Sequence, residues 1–248
     1  MLSDVRWIGV DFAFTIMNPL TLHHSKVIPE MYKRLGREGE GHERLTQWYK
    51  LRDTMGSPTD APHQKVRLMK EYHRDEMLAK VFDDDPEAKA MYAEMEALER
   101  RPPEDAKVGL GCLKSNGKSM SVVSEVVGAQ GAMTVSASLR AHGLRGYFDE
   151  IITPSGRFEA NGRLIDEGRF VGATKKDGTM YDRLAEHLDS IGIGAGKRAM
   201  VGDDPKLDVE FSKKRGFVTV QYCGIIDRGR TNFADYILAR WSDICKLP

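Results

Sequence analysis

Cysteine is scarce in this chain: Cys112, Cys223 and Cys245 are the only three in 248 residues, odd in number and far apart, with no CxxC pair. That excludes a zinc ribbon and a dense disulfide framework, and it points to a reducing, cytoplasmic setting. An excess of one charge is also missing, since 37 Lys+Arg balance 37 Asp+Glu. With no net charge, the sequence offers no electrostatic footprint for nucleic acid or an anionic membrane, and a small-molecule partner is expected. No apolar run approaches the roughly 18 residues of a membrane helix, and Asp4, Arg6 and Asp11 interrupt any signal-peptide core. Internal repeats and low-complexity tracts are lacking too. A homodimer is compatible with the sequence but not specified by it.

What is present is an alternation of strand and helix. Trp7-Ile8-Gly9-Val10 is a short apolar run closed by Asp11, and Ser119-Met120-Ser121-Val122-Val123 is closed by Ser124. Arg198-Ala199-Met200-Val201 leads into Gly202-Asp203-Asp204, and Phe217-Val218-Thr219-Val220 follows Gly216. Runs of this kind read as buried parallel strands that carry polar groups at their ends. Helix-period segments lie near 105–115, 126–142, 178–191 and 206–214. The pattern predicts a doubly wound, Rossmann-like parallel α/β sheet with its ligand at the carboxyl ends of the strands.

Residues 19–102 break the alternation. They are rich in helix and charge, with amphipathic stretches around 26–35, 43–54, 64–82 and 86–100. Pro19 stands at one edge and Arg101-Pro102-Pro103 at the other, punctuation suited to a chain leaving and re-entering a domain. The expected organisation is a core of 1–18 and 103–248, with a helical cap of 19–102 inserted after the first strand. A hairpin is expected around Asn161-Gly162, a favoured tight-turn pair.

Four positions in chain order carry chemistry: Asp11 with Thr15, Ser124, Lys175, and Asp203 with Asp208. Together they resemble the haloacid dehalogenase-like (HAD) superfamily of hydrolases. Its DxDxT motif corresponds to Asp11-Phe12-Ala13-Phe14-Thr15, and its strand-end hydroxyl to Ser124. Its lysine corresponds to Lys175 or Lys176, with Lys175 the better match in spacing, and its GDxxxxD to Gly202-Asp203 through Asp208. The resemblance implies phosphoryl transfer, with Asp11 as nucleophile forming an aspartyl-phosphate. It further implies Mg²⁺ held by Asp11, the Ala13 carbonyl and Asp203, with Asp208 direct or through water and Asp204 as an alternative. Thr15, Ser124 and Lys175 would bind the phosphoryl oxygens.

One position departs from the pattern. The second aspartate of DxDxT, which protonates the leaving group, is Ala13 here. Three readings follow: a phosphatase with a good leaving group or an acid from elsewhere, such as His23, His24, His63 or His73; a phosphonatase-like C–P hydrolase; or a weakly active protein that binds a phosphorylated ligand. Phosphonatases share the alanine and use a cap lysine as a Schiff base, and Met55-Gly56 with Val66-Arg67-Leu68 resembles their cap motif. Lys65 is the nearest lysine to that motif. Dehalogenation fits less well, because position 13 is not tyrosine and the acidic Gly202-Asp203-Asp204 is intact.

Plainer roles are expected for other conspicuous residues. Asp83-Asp84-Asp85 before Pro86 reads as a helix start, and Trp48, Tyr49, Met91 and Met95 read as cap core. Lys213-Lys214-Arg215 reads as a helix end rather than a nucleic-acid patch.

Overall fold

Trp7–Val10 forms strand β1, whose four residues are all buried. Successive side chains alternate, so Ile8 and Val10 join the core on one face of a sheet while Trp7 joins the core on the other. The chain then runs through α1 (His24–Arg34), α2 (Gly41–Met55), α3 (Glu71–Val81) and α4 (Pro86–Glu99), and returns through α5 (Ala106–Ser115) to β2 (Ser119–Val123). There follow α6 (Gly128–Ala141), β3 (Glu150–Thr153), β4 (Gly156–Glu159), β5 (Leu164–Asp166), α7 (Thr179–Ser190), β6 (Arg198–Gly202), β7 (Val218–Tyr222) and β8 (Tyr236–Leu238). The structure is a computed structural model that describes residues 2–19, 23–55, 71–126 and 128–248. It divides into two units, Met1–Pro19 with Arg101–Pro248, and Leu20–Arg100.

The first unit holds an eight-stranded sheet in the order β5-β4-β3-β2-β1-β6-β7-β8. From β3 through β8 every neighbouring pair is parallel, and β4 and β5 are added antiparallel as a hairpin. The turn of that hairpin contains Asn161-Gly162, with Gly162 at φ +90°. Helices α5 and α6 cover one face through Leu110, Leu113, Val135 and Leu139; α7 covers the other through Met180, Tyr181, Leu184 and Leu188. This is the doubly wound α/β fold expected of the sequence. Because β1 lies between β2 and β6, the strand order reverses beside it, which places a crevice at its carboxyl end.

Three local features differ from, or add to, the reading of the sequence. Strands β3 and β8 add to the four read from sequence; Glu150-Ile151-Ile152-Thr153 is too short to show a period. The segment expected as a helix at 206–214 begins as a wide π-helical turn, Pro205–Glu210, and only Phe211–Lys213 is α-helical. Cys112 on α5 and Cys245 are disulfide-bonded with Cα atoms 6.0 Å apart, a single bridge where the cysteine spacing had excluded only a dense framework. Their separation of 133 residues hid this pairing, which arises because the C-terminal turn Trp241–Lys246 folds back onto α5. Among the described residues no helix is long and apolar enough to cross a membrane.

Asp149, just before β3, ties that strand to its neighbours. It accepts from Lys114 Nζ at 2.8 Å, Ser119 Oγ at 2.7 Å and the Met120 N–H at 3.1 Å. Burial opposes its ionisation, but these three donors outweigh it and hold the carboxyl below its ordinary value. Asp149→Ala is expected to cost about 1 kcal/mol, mostly from the orphaned Met120 N–H and Ser119 hydroxyl, since the half-exposed Lys114 pair is worth little. A depressed carboxyl stabilises above its unfolded value of 3.8 and loses that contribution as pH falls through its folded value. The gap in melting temperature between the two proteins should therefore be full at pH 6 and narrow toward pH 3.

The second unit has its own core of Val27, Ile28, Met31, Tyr32, Trp48, Met77, Val81, Phe82, Tyr92 and Met95. Asp85 caps α4 by accepting from the N–H groups of Glu87 and Ala88, which gives the acidic run its structural role. Asp83 pairs with Arg44 at 2.5 Å and Asp84 with Lys89 at 2.9 Å. Trp48 is fully buried and Met95 nearly so, while Met91 packs against the same core and Tyr49 is exposed.

Candidate active site

The sheet register brings the motif residues together. Val10 is level with Val122 on one side and Val201 on the other, so Asp11, Ser124 and Asp203 all emerge just past the carboxyl ends of three adjacent strands. The Asp11 N–H donates to Val201 O at 2.8 Å and the Ser124 N–H to Ile152 O at 3.0 Å, fixing both backbones.

After Asp11 the chain makes one tight turn. Ile16 N–H and Met17 N–H both donate to Phe12 O, and Phe14 N–H donates to Met17 O at 2.7 Å. Phe14 takes φ +64°, a left-handed conformation that costs a non-glycine residue about 1 kcal/mol or more and is found preferentially at functional sites. The turn buries Thr15 completely and leaves Ala13 exposed. The buried Trp241 indole N–H anchors it by donating to Thr15 O at 2.9 Å.

Lys175 reaches this turn from the loop before α7. Its ammonium lies 2.5 Å from Asp11 Oδ1 and 2.7 Å from Asp208 Oδ1, with only 3% of its side chain accessible. The loop is pinned because the Lys175 N–H donates to the Glu125 carboxylate, next to Ser124. Lys176 points to solvent.

Asp203 and Asp208 come from β6 and the wide turn after it. Asp203 Oδ1 faces the Thr15 hydroxyl at 3.4 Å. Asp208 Oδ1 also accepts from the Tyr181 hydroxyl at 3.2 Å, and its Oδ2 accepts from the Asp204 N–H at 3.1 Å. Asp204 caps the turn, its carboxylate accepting from the N–H groups of Lys206 and Leu207. Gly202 has to be glycine, because a Cβ there would fall onto the Asp208 carboxylate.

Asp11, Asp203 and Asp208 each offer an oxygen within 4.8 Å of the others. Crowded, buried carboxylates resist ionisation. Burial pushes Asp11 up to about 7, with Asp208 and Asp203 adding to the push and Lys175 pulling against it. Burial, and then Asp208, likewise raise Asp203. Lys175 moves the other way to a simple buried amine: burial disfavours its charge, but Asp11 and Asp208 more than compensate and keep it protonated. An all-oxygen, anionic donor set of this kind fits a hard divalent cation. Among the described residues Asp11 Oδ2 accepts no hydrogen bond and is the freest oxygen of the set, whereas both oxygens of Asp203 and both of Asp208 already accept from protein donors.

Ser124 is buried, and its hydroxyl has no protein partner among the described residues. It is therefore free to donate to a ligand. Of the histidines considered as proton donors, His24 packs at a tilt against Trp48, 4.2 Å between ring centres, and shares a hydrogen bond with Tyr92. His63, Lys65, Gly56 and Val66-Arg67-Leu68 lie outside the described residues, as do the side chains of Met55 and His73. Two neighbours of the cluster were not anticipated. Tyr181 sits six residues after Lys175, a spacing that could have flagged it, but Arg228 lies in a loop with no pattern of its own.

No family model matches the sequence, and no curated protein matches it. Solved structures do share the fold. A HAD phosphatase from Thermococcus onnurineus is 20% identical, with a TM-score of 0.57 over 98% of this chain and 97% of its own. A 2-haloacid dehalogenase from Pseudomonas syringae is 16% identical at a TM-score of 0.57, over 98% and 97%. YfnB of Bacillus subtilis, classed as a HAD-hydrolase and bound to magnesium, is 14% identical at 0.53, again over 98% and 97%.

Proposed function

We propose that this chain is a Mg²⁺-dependent phosphohydrolase acting on a small phosphorylated metabolite through an aspartyl-phosphate on Asp11. The observation that carries this reading is the partly buried Asp11 carboxylate, held 2.5 Å from the Lys175 ammonium and clustered with the buried Asp203 and Asp208 at the ends of β1 and β6. Mg²⁺ bound by Asp11 and Asp203, with the Ala13 carbonyl and Asp208 in support, would supply charge neutralisation between the carboxylates and the phosphoryl group.

Asp11 supplies the nucleophile: one carboxylate oxygen bonds to phosphorus as the bond from phosphorus to the leaving oxygen breaks. Lys175 balances charge on the nucleophile and on the moving group, and the Ser124 and Thr15 hydroxyls donate to its oxygens. Water then attacks phosphorus, releasing phosphate and restoring the Asp11 carboxylate.

Ala13 carries no proton to give, so the leaving oxygen must depart as an anion or bring its own acid. Aryl or acyl phosphates should accordingly be hydrolysed faster than simple alkyl phosphates, by about 10²–10⁴, the usual worth of a positioned acid. The test is phosphate release from a panel of such esters with Mg²⁺, after EDTA, and after Mg²⁺ is restored. Loss and recovery of activity are expected. Metal-independent halide release from a 2-haloacid, with no phosphate released from any ester, would replace this reading with dehalogenation. The alanine also favours a second reading, C–P cleavage, which borohydride inactivation in the presence of an aldehyde phosphonate would select.

A further inference from the structure

The loop after β7 presents a cation to the cluster that phosphoryl transfer does not use. It is a built loop: the fully buried Gln221 donates from Nε2 to Gly229 O at 2.6 Å, and its Oε1 accepts from the Thr231 N–H at 3.2 Å. Gly229 takes φ +83°, and its N–H donates to Asp227 Oδ1 at 2.9 Å. At the crest, Arg228 donates from Nε to Asp203 Oδ2 at 2.5 Å, and its guanidinium lies 5.2 Å from the Phe14 ring centre.

An arginine has five N–H donors, and one is spent on Asp203. Neither terminal nitrogen of Arg228 has an acceptor among the described residues, and 24% of the side chain is accessible. Two anchors, the Asp203 carboxylate and the left-handed Phe14, fix the plane of the guanidinium. Its outer edge therefore stands as a fork pre-shaped for a carboxylate or phosphate.

The position of the fork indicates which anion it takes. Ser124 follows β2 on one side of β1, whereas the Arg228 loop follows β7, two strands away on the other side. Arg228 meets the cluster at Asp203 and has no hydrogen bond or ion pair with Asp11, Ser124 or Lys175 among the described residues, so its outer edge serves an anion other than a phosphoryl group seated at those three. We infer that Arg228 is a specificity-determining residue that binds a second anionic group on the substrate, making the substrate a phosphorylated compound with an additional carboxylate or phosphate. This rests on the function proposed above and narrows its substrate class.

The test compares two probes of similar skeleton, 3-phosphoglycerate and glycerol 3-phosphate, by calorimetry in the presence of Mg²⁺. The protein is the full chain carrying Asp11→Asn, which prevents turnover. The carboxylate-bearing probe is expected to bind at least about tenfold more tightly, the scale of one charge-assisted bidentate contact. Arg228→Met should erase that preference by weakening 3-phosphoglycerate alone. Arg228→Lys, which keeps a cation for Asp203 but has no fork, should lose most of it, and so separates recognition from any disturbance of Asp203. Equal affinity for the two probes before substitution, or equal weakening of both probes in both variants, would overturn the assignment. Failure of the phosphohydrolase reading shows itself separately, as no phosphate release from any ester by the unsubstituted chain, while the binding preference can still be read.

Discussion

Asp11→Asn is expected to lower kcat for any phosphate ester by at least about 10⁴-fold while leaving the fold intact, since an amide cannot form the acyl-phosphate and loss of a covalent nucleophile costs on this scale. The replacement is nearly isosteric. The Asp11 backbone N–H keeps its bond to Val201 O, and Lys175 keeps Asp208 as a counter-ion at 2.7 Å. Melting temperature should therefore change little, because a buried site that loses one of three crowded carboxylates also loses repulsion among them. Activity measured beside a thermal melt checks both halves. A variant that melts normally and still hydrolyses esters at the original rate would remove Asp11 from the chemistry.

Lys175→Met has the opposite profile, with activity and stability both falling. The ammonium is the shared counter-ion of Asp11 and Asp208, whose side chains are 13% and 3% accessible. Deleting one member of such a buried set leaves uncompensated charge, at a cost of roughly 3–5 kcal/mol. The direction with pH follows from linkage. Asp11 already stands above its unfolded value of 3.8, at about 7, and without Lys175 it rises further. A raised carboxyl binds more protons folded than unfolded, so stability falls as pH rises from the unfolded value toward the folded one. The deficit relative to the unsubstituted protein should be modest near pH 5 and widen by pH 8, as read from paired urea melts. A deficit that is constant with pH would mean that Lys175 acts through packing rather than charge.

The sheet was legible because its central strands are short apolar runs closed by polar residues, and because Gly202-Asp203 and Asp11 fall at strand ends where the topology reverses. Lys175 and Asp208 were legible as residue types at a spacing, though not as a pair sharing one oxygen-rich pocket with Tyr181. Their convergence depends on the wide turn at Pro205–Glu210 and on a glycine at 202, and neither has a periodicity to read. Strand β3 was missed because Glu150 and Thr153 flank only two apolar residues, and β8 because Tyr236–Leu238 is three residues long. The Cys112–Cys245 bridge and the Arg228–Asp203 contact are consequences of long-range folding. A loop that Gln221 clamps from beneath leaves no local signature of where its arginine will point.

The central claim is a covalent bond between phosphorus and Asp11. Acid-quenching the chain during steady-state hydrolysis of an aryl phosphate, followed by mass spectrometry of its peptides, tests it directly. The expected result is one added phosphoryl group on the peptide that spans Trp7 to Thr15, located at Asp11 by fragmentation and discharged when substrate is exhausted. Phosphate release at an undiminished rate with that peptide unmodified at every quench time would contradict it.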